Sequence, residues 1–154
     1  MAWQQGVSGQ GATIAIIDSG IDSDSPEFAG RILSQSKDVA GSRTIDGGDD
    51  HGTNVALVAA AALDGEGVVG MAYNASLLVL RADEPGSCTA NDGDADLEGC
   101  QFFDSDIARG IDIAIAARAR VINLSLGGGK PSSTFTNAVR RATQAGIVVV
   151  VAAG

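Results

Sequence analysis

The sequence predicts an α/β domain built on a doubly wound, mostly parallel sheet with helices on both faces. Three observations carry this expectation. Four short apolar runs are continuous rather than alternating, as strands covered by helices on both sides must be. Segments with helical periodicity lie between them. Finally, 45% of the 154 residues are hydrophobic but only 4% are aromatic, and 21 are glycines. The core must then be made of small aliphatic side chains that let elements approach closely, in a chain long enough for one domain.

The first run, "TIAIID", predicts a strand at Thr13–Asp18 that ends on an Asp-Ser-Gly turn. "HGTNVALVAAAAL" predicts a helix from His51 to Leu63. "SLLVL" predicts the second strand at Ser76–Leu80. The polar stretch Asp83–Phe103, with Pro85, Gly86 and Gly93, reads as a long loop. In "DSDIARGIDIAIAARA", Ile107, Ile111, Ala114 and Ile115 follow the i, i+4, i+7, i+8 spacing of one helix face, with Asp104 or Ser105 as the expected cap. "VINLSL" predicts a strand at Val121–Leu126. The next helix shows Phe135, Val139 and Ala142 on one face; Ser132 or Ser133 opens it and Gly146 ends it. "IVVVVAA" predicts the last strand at Ile147–Ala153.

Strand–helix–strand alternation implies right-handed crossovers, and sites in such sheets form beyond the carboxyl ends of the strands. The residues there are Asp18–Ser19–Gly20, Arg81–Ala82, Ser125–Gly128 and Ala152–Gly154.

Composition excludes several functions. The net charge is -9 and no basic cluster exists, so nucleic acid is not an expected partner. The longest apolar runs, Val55–Leu63 and Ile147–Ala153, are too short to span a membrane. The start "MAWQQG" has no signal-like pattern of a basic segment before an apolar one. Cys88 and Cys100 bracket a short polar loop, which favours a disulfide over two free thiols and hence an oxidising compartment. A metal site there is disfavoured, because no second cysteine or histidine pair joins them. In the same loop Asp92, Asp94 and Asp96 have the spacing of an EF-hand start, but Leu97 and Phe103 stand where that loop needs Gly and Glu.

His51 is the chain's one histidine, and it opens a helix after a glycine-rich polar loop. Held by a carboxylate in one tautomer, an imidazole serves as a base near neutral pH. Asp18, at the end of the first strand, is the candidate carboxylate.

The segments "IAIIDSGID" and "HGTNVALVAA", in that order, resemble the Asp and His motifs of the subtilisin-like serine peptidases. "GVVGMAYNASLLVLRA", "ARVINLSLGG" and "AGIVVVVAAG" are similar to further family segments and follow in family order, from Trp3 to Gly154. The resemblance implies that Asp18 orients His51, the general base. It implies that Ser125, Leu126 and Gly127 pair their backbone with an extended substrate, and that Ala152, Ala153 and Gly154 wall a specificity pocket. Glu98–Phe102 would form the other edge of the cleft. Protein or peptide substrates and a secreted, periplasmic or cell-surface location are implied. No cofactor is expected; structural calcium accords with the resemblance, but no residue identifies a site.

Three departures stand against the family pattern. The oxyanion-hole Asn would directly follow Gly154, and the nucleophilic Ser sits in a later Gly-Thr-Ser segment; neither is among these residues. The chain is therefore expected to be the front part of one peptidase domain, residues 1–154, inactive as given and prone to self-association through an uncovered surface. Asn54 stands where the family has a second histidine, and Leu57 where it has Gly. The third departure is the Cys88–Cys100 insertion. The alternative is a non-catalytic, peptidase-like peptide-binding domain. A nucleotide-binding reading of "GQGATI" fails, since Gly9 and Gly11 precede the first strand instead of joining strand to helix.

Overall fold

The computed structural model describes residues 2–47, 49–88 and 99–153. Gly154 and the loop residues Asp92, Asp94, Asp96, Leu97 and Glu98 lie outside the described residues. Five parallel strands form one sheet in the order β2-β3-β1-β4-β5: β1 (Thr13–Asp18), β2 (Lys37–Asp38), β3 (Ser76–Arg81), β4 (Val121–Leu124) and β5 (Val148–Val151). Three α-helices accompany it: α1 (His51–Ala60), α2 (Asp104–Ala116) and α3 (Ser133–Gln144). The predicted doubly wound α/β architecture is the one observed. The sequence reading missed β2, a polar two-residue edge strand paired through Lys37↔Leu80 and Asp38↔Arg81. A strand that short carries no apolar run to signal it.

Alternate side chains of β1 serve two cores. Ala15 and Ile17 face α2 and α3, whereas Ile14 and Ile16 face α1. Ala15, Ile16, Ile17, Leu77, Leu78, Val79 and Leu80 are all at most 1% exposed, which explains why these runs do not alternate with polar residues. Each fully buried aliphatic side chain of this size contributes about 1.5–3 kcal/mol. Helix α1 buries a stripe of small residues, Gly52, Ala56 and Ala60, so it lies close against the sheet.

Several boundaries differ from those predicted. Helix α1 stops at Ala60 rather than Leu63, because the returning chain takes its last carbonyls: Met71 N–H donates to Val58 O, Ala72 N–H to Ala59 O and Gly70 N–H to Ala61 O. Only glycine fits at position 70, where a Cβ would lie 2.3 Å from Ala61 N. β4 ends at Leu124, not Leu126, and β5 covers Val148–Val151, not Ile147–Ala153. The chain leaves the ladder after the pair Leu124↔Val151 and opens a cleft. Neither Asp104 nor Ser105 caps α2; Asp104 is its first residue, and its Oδ2 instead accepts from Ser132 N–H at 2.8 Å. Ser132 caps α3 as expected, its Oγ accepting from Phe135 N–H at 3.2 Å, and Gly146 follows the helix with φ +79°.

A buried ionic network braces the β2–β3 edge. Arg43 donates to Asp38 Oδ2 and to Asp83 Oδ2, both at 2.8 Å, and Arg81 donates to Asp83 Oδ1 at 2.8 Å. Burial alone would push the Asp38 carboxyl up, but hydrogen bonds from Arg43 and from Ala40 N–H outweigh it and hold Asp38 below the usual carboxylate range. The same pairing raises the Arg43 guanidinium. A depressed carboxyl contributes stability that is present above its unfolded value, about 3.9, and lost as pH falls through the lower folded value. Arg43→Met is therefore expected to lower the unfolding free energy by about 3 kcal/mol at pH 7 by stranding buried carboxylates. In urea titrations, that difference should begin to shrink as pH falls below the unfolded carboxylate value, about 3.9, and vanish only below the depressed folded value of Asp38, where the wild-type carboxyl also takes up its proton.

Candidate active site

Asp18 is the last residue of β1, the central strand, with β3 on one side and β4 on the other. The chain leaves β1 toward β2 on one side of the sheet and leaves the neighbouring β4 toward β5 on the other, which makes the carboxyl ends of these two strands a crevice of the sheet. The side chain is fully buried. Ser19 N–H donates to its Oδ1 at 2.8 Å, while Oδ2 finds no hydrogen-bond partner among the described residues. Gly20, at φ +104°, then turns the chain away, and a Cβ there would lie 2.5 Å from Ile45 O.

His51 is the first residue of α1. Its Nδ1 lies 2.7 Å from Asp18 Oδ1, and about half of its side chain is exposed. A carboxylate only accepts, so the ring donates Nδ1–H to Asp18 and presents the Nε2 lone pair outward. A buried anion behind a half-exposed imidazole can orient the ring and balance the charge it gains on taking a proton. The sequence pairing of Asp18 with His51 is thus brought together in space.

The close approach depends on Gly52. A Cβ at this position would lie 2.1 Å from Gly20 O and 3.3 Å from Asp18 Cβ. Asn54 is exposed, and Leu57 is half-buried against the α1 side of the sheet, so neither departure from the resemblance intrudes between Asp18 and His51.

Two residues around this pair were not singled out in the sequence. Ser19 Oγ lies 2.5 Å from Asp49 Oδ1 and 3.2 Å from Asp18 Oδ1, and it accepts from Gly52 N–H at 3.2 Å. Asp49 Oδ1 also accepts from His51 N–H at 3.2 Å. The helix thus receives acceptors for its first free N–H groups from Asp49 and Ser19 rather than from Asp50, whose side chain makes no cap. Ser19 sits inside the quoted Asp motif and Asp49 two residues before the His motif, but their roles depend on the folded distance between two loops.

A cavity of about 630 Å³ opens beside the cleft. Its walls include Cys100–Asp104, Leu126–Pro131, Phe135 and Val151–Ala153. Leu126, Gly127, Ala152 and Ala153 thus line one cavity together with Cys100–Phe102. Ser125 is not among the lining residues; its Oγ accepts from Asn123 Nδ2 at 2.9 Å. Phe135 was read as a core residue, and it lines the cavity as well as packing against the core.

The Cys88 and Cys100 sulfurs are 2.07 Å apart, at disulfide distance. Asp49, Cys88 and Cys100 bring donor atoms within 4.8 Å of one another. Metal ligation by cysteine requires a thiolate, and sulfurs bonded to each other do not supply one.

From the packing at Gly52, Gly52→Ala is expected to displace α1 and break the Asp18–His51 contact. In solution NMR the Nδ1–H resonance of a carboxylate-bound His51 would be lost in the variant; its retention at an unchanged position would refute this account.

The model of the Subtilase family matches residues 9–154. Thermitase of Thermoactinomyces vulgaris is 38% identical over 148 residues, which are 95% of this chain and 48% of thermitase. Subtilisin E of Bacillus subtilis is 37% identical over 97% of this chain and 36% of its own length. The chain thus spans half or less of these curated relatives. The crystal structure of fervidolysin from Fervidobacterium pennivorans, a keratinolytic enzyme related to subtilisin, superposes with a TM-score of 0.77 at 30% identity, over 99% of this chain and 22% of that one. With the family model matched over nearly its whole length, this chain belongs to the Subtilase family.

Proposed function

We propose that this chain is the front part of the catalytic domain of a subtilisin-like serine endopeptidase. The observation that carries the reading is the 2.7 Å contact between His51 Nδ1 and the buried carboxylate of Asp18. In the complete enzyme His51 takes the proton from a serine supplied by a later segment of the parent chain. Asp18 holds the ring and stabilises its charged form. The substrate is a protein or peptide in extended conformation. The backbone of Ser125–Leu126–Gly127, which runs on past the last ladder pair of β4, binds it as an added strand. Ala152 and Ala153, with Gly154 beyond the described residues, wall the pocket beside it. These 154 residues contain no Gly-Thr-Ser segment, so on this reading they do not cleave peptides alone.

The non-catalytic alternative drew on Asn54 and Leu57, and their placement away from the Asp18–His51 pair favours the peptidase. No cofactor is assigned. No helix among the described residues is long and apolar enough to cross a membrane. The Cys88–Cys100 pair supports an oxidising location outside the cytosol, either secreted, periplasmic or at the cell surface.

The test is a fluorophosphonate probe applied to the full-length parent. A downstream serine should be labelled, and His51→Ala should slow labelling by a factor on the order of 10⁴ or more. A folded parent that resists the probe would establish the non-catalytic reading instead.

The fragment is also proposed to self-associate. β5 pairs only with β4 and leaves Val148, Val150 and Val151 about half exposed. Val58 and Met71 are 72% and 70% exposed on the α1 side. Such surfaces and open strand edges pair with other chains. Sedimentation velocity should show concentration-dependent oligomers; a monomer at all concentrations would refute this.

A further inference from the structure

The Ser19 hydroxyl carries one proton and has two carboxylate oxygens in reach, Asp49 Oδ1 at 2.5 Å and Asp18 Oδ1 at 3.2 Å. Asp18 Oδ1 is also the oxygen that holds His51 Nδ1, at 2.7 Å. Ser19 is fully buried, so its hydroxyl has no bulk water to turn to. Whichever carboxylate takes the hydroxyl proton decides how much of Asp18 is left for the imidazole.

We propose that Asp49 is a positioning residue for the His51–Asp18 pair. Its carboxylate draws the Ser19 hydroxyl away from Asp18, and it fixes the His51 backbone by accepting His51 N–H at 3.2 Å. Cys100 Sγ lies 2.9 Å from Asp49 Oδ2, so the sulfur packs against one oxygen while the other faces Ser19. The other sulfur, Cys88 Sγ, lies 3.2 Å from Asp83 Oδ2, inside the ionic network at the end of β3. The bonded sulfurs of Cys88 and Cys100 thus lie one beside the β3 edge and the other beside the loop that precedes His51.

Without Asp49, the Ser19 hydroxyl turns to Asp18 Oδ1 and competes with the ring for it. Sharing the acceptor costs most for the imidazolium, whose charge-assisted hydrogen bond is the stronger one and forms only during reaction, so the loss falls on kcat and not on substrate binding.

This proposal rests on the peptidase reading, and the experiment separates the two. In the full-length protein, Asp49→Ala should lower kcat about tenfold to a hundredfold, the range for a hydrogen bond to a charged group, with KM within about twofold. Asp49→Asn keeps an acceptor oxygen for Ser19 and His51 N–H and should restore most of kcat. In the double variant Ser19→Ala/Asp49→Ala the competing hydroxyl is gone, so removing Asp49 should lower kcat less in the Ser19→Ala background than in the wild type, and the two losses should not add. Unchanged kcat in Asp49→Ala, a loss confined to KM, no recovery with Asn, or additive losses in the double variant would each overturn the positioning role while leaving the peptidase intact. An unreactive wild type would instead overturn the peptidase reading, and this proposal with it.

Discussion

The arrangement depends on one constraint: a carboxylate buried at the carboxyl end of the central strand. β1 has β3 on one side and β4 on the other, so Asp18 cannot reach solvent past either neighbour. An ionised carboxylate in that position is costly unless it accepts strong hydrogen bonds. The Ser19 N–H and the His51 ring supply them. The need of Asp18 for donors and the need of His51 for an orienting acceptor are met by the same contact.

That contact sets the terms for the surrounding packing. Helix α1 must bring its first turn onto the Asp-Ser-Gly turn, and a glycine at 52 is what lets it approach. The stripe Gly52, Ala56 and Ala60 continues the close approach along the helix. On the opposite face α2 packs through Ile107 and Ile111 together with Ala108, Gly110 and Ala114, and α3 through Ala138 and Ala142, while Ile107 and Phe135 also reach the cavity.

Charge is handled in two separate places. At the β2–β3 edge, Asp38 and Asp83 are neutralised by Arg43 and Arg81, as buried carboxylates usually are. Around His51, Asp18 and Asp49 have no arginine partner; their donors are backbone N–H groups, a hydroxyl and the imidazole. The only one of these donors that changes charge is the ring, which leaves the local field free to respond when it takes a proton. The Cys88–Cys100 disulfide sits between the two regions, with one sulfur beside Asp83 and the other beside Asp49.

Much of this was legible in the sequence. Continuous apolar runs specify the buried parallel strands β1 and β3, because covering both faces removes any polar position, whereas the equally apolar β5 has Val148, Val150 and Val151 about half exposed, a difference the run does not show. Ser132 and Gly146 mark the ends of a helix through local chemistry alone, as both act within one turn. The Asp18 and His51 motifs are readable because each is a short segment with its own turn or helix start. What tertiary structure alone decided is everything that joins segments distant in the chain. The ends of α1 and β4 are set by which partner takes or releases their backbone groups, the returning chain at Gly70 and the opening beyond Val151. β2 exists only because β3 offers it an edge. Asp49 and Ser19 acquire their roles only when two loops 30 residues apart meet, since a hydroxyl proton chooses between carboxylates by distance, and distance between segments is a property of the fold.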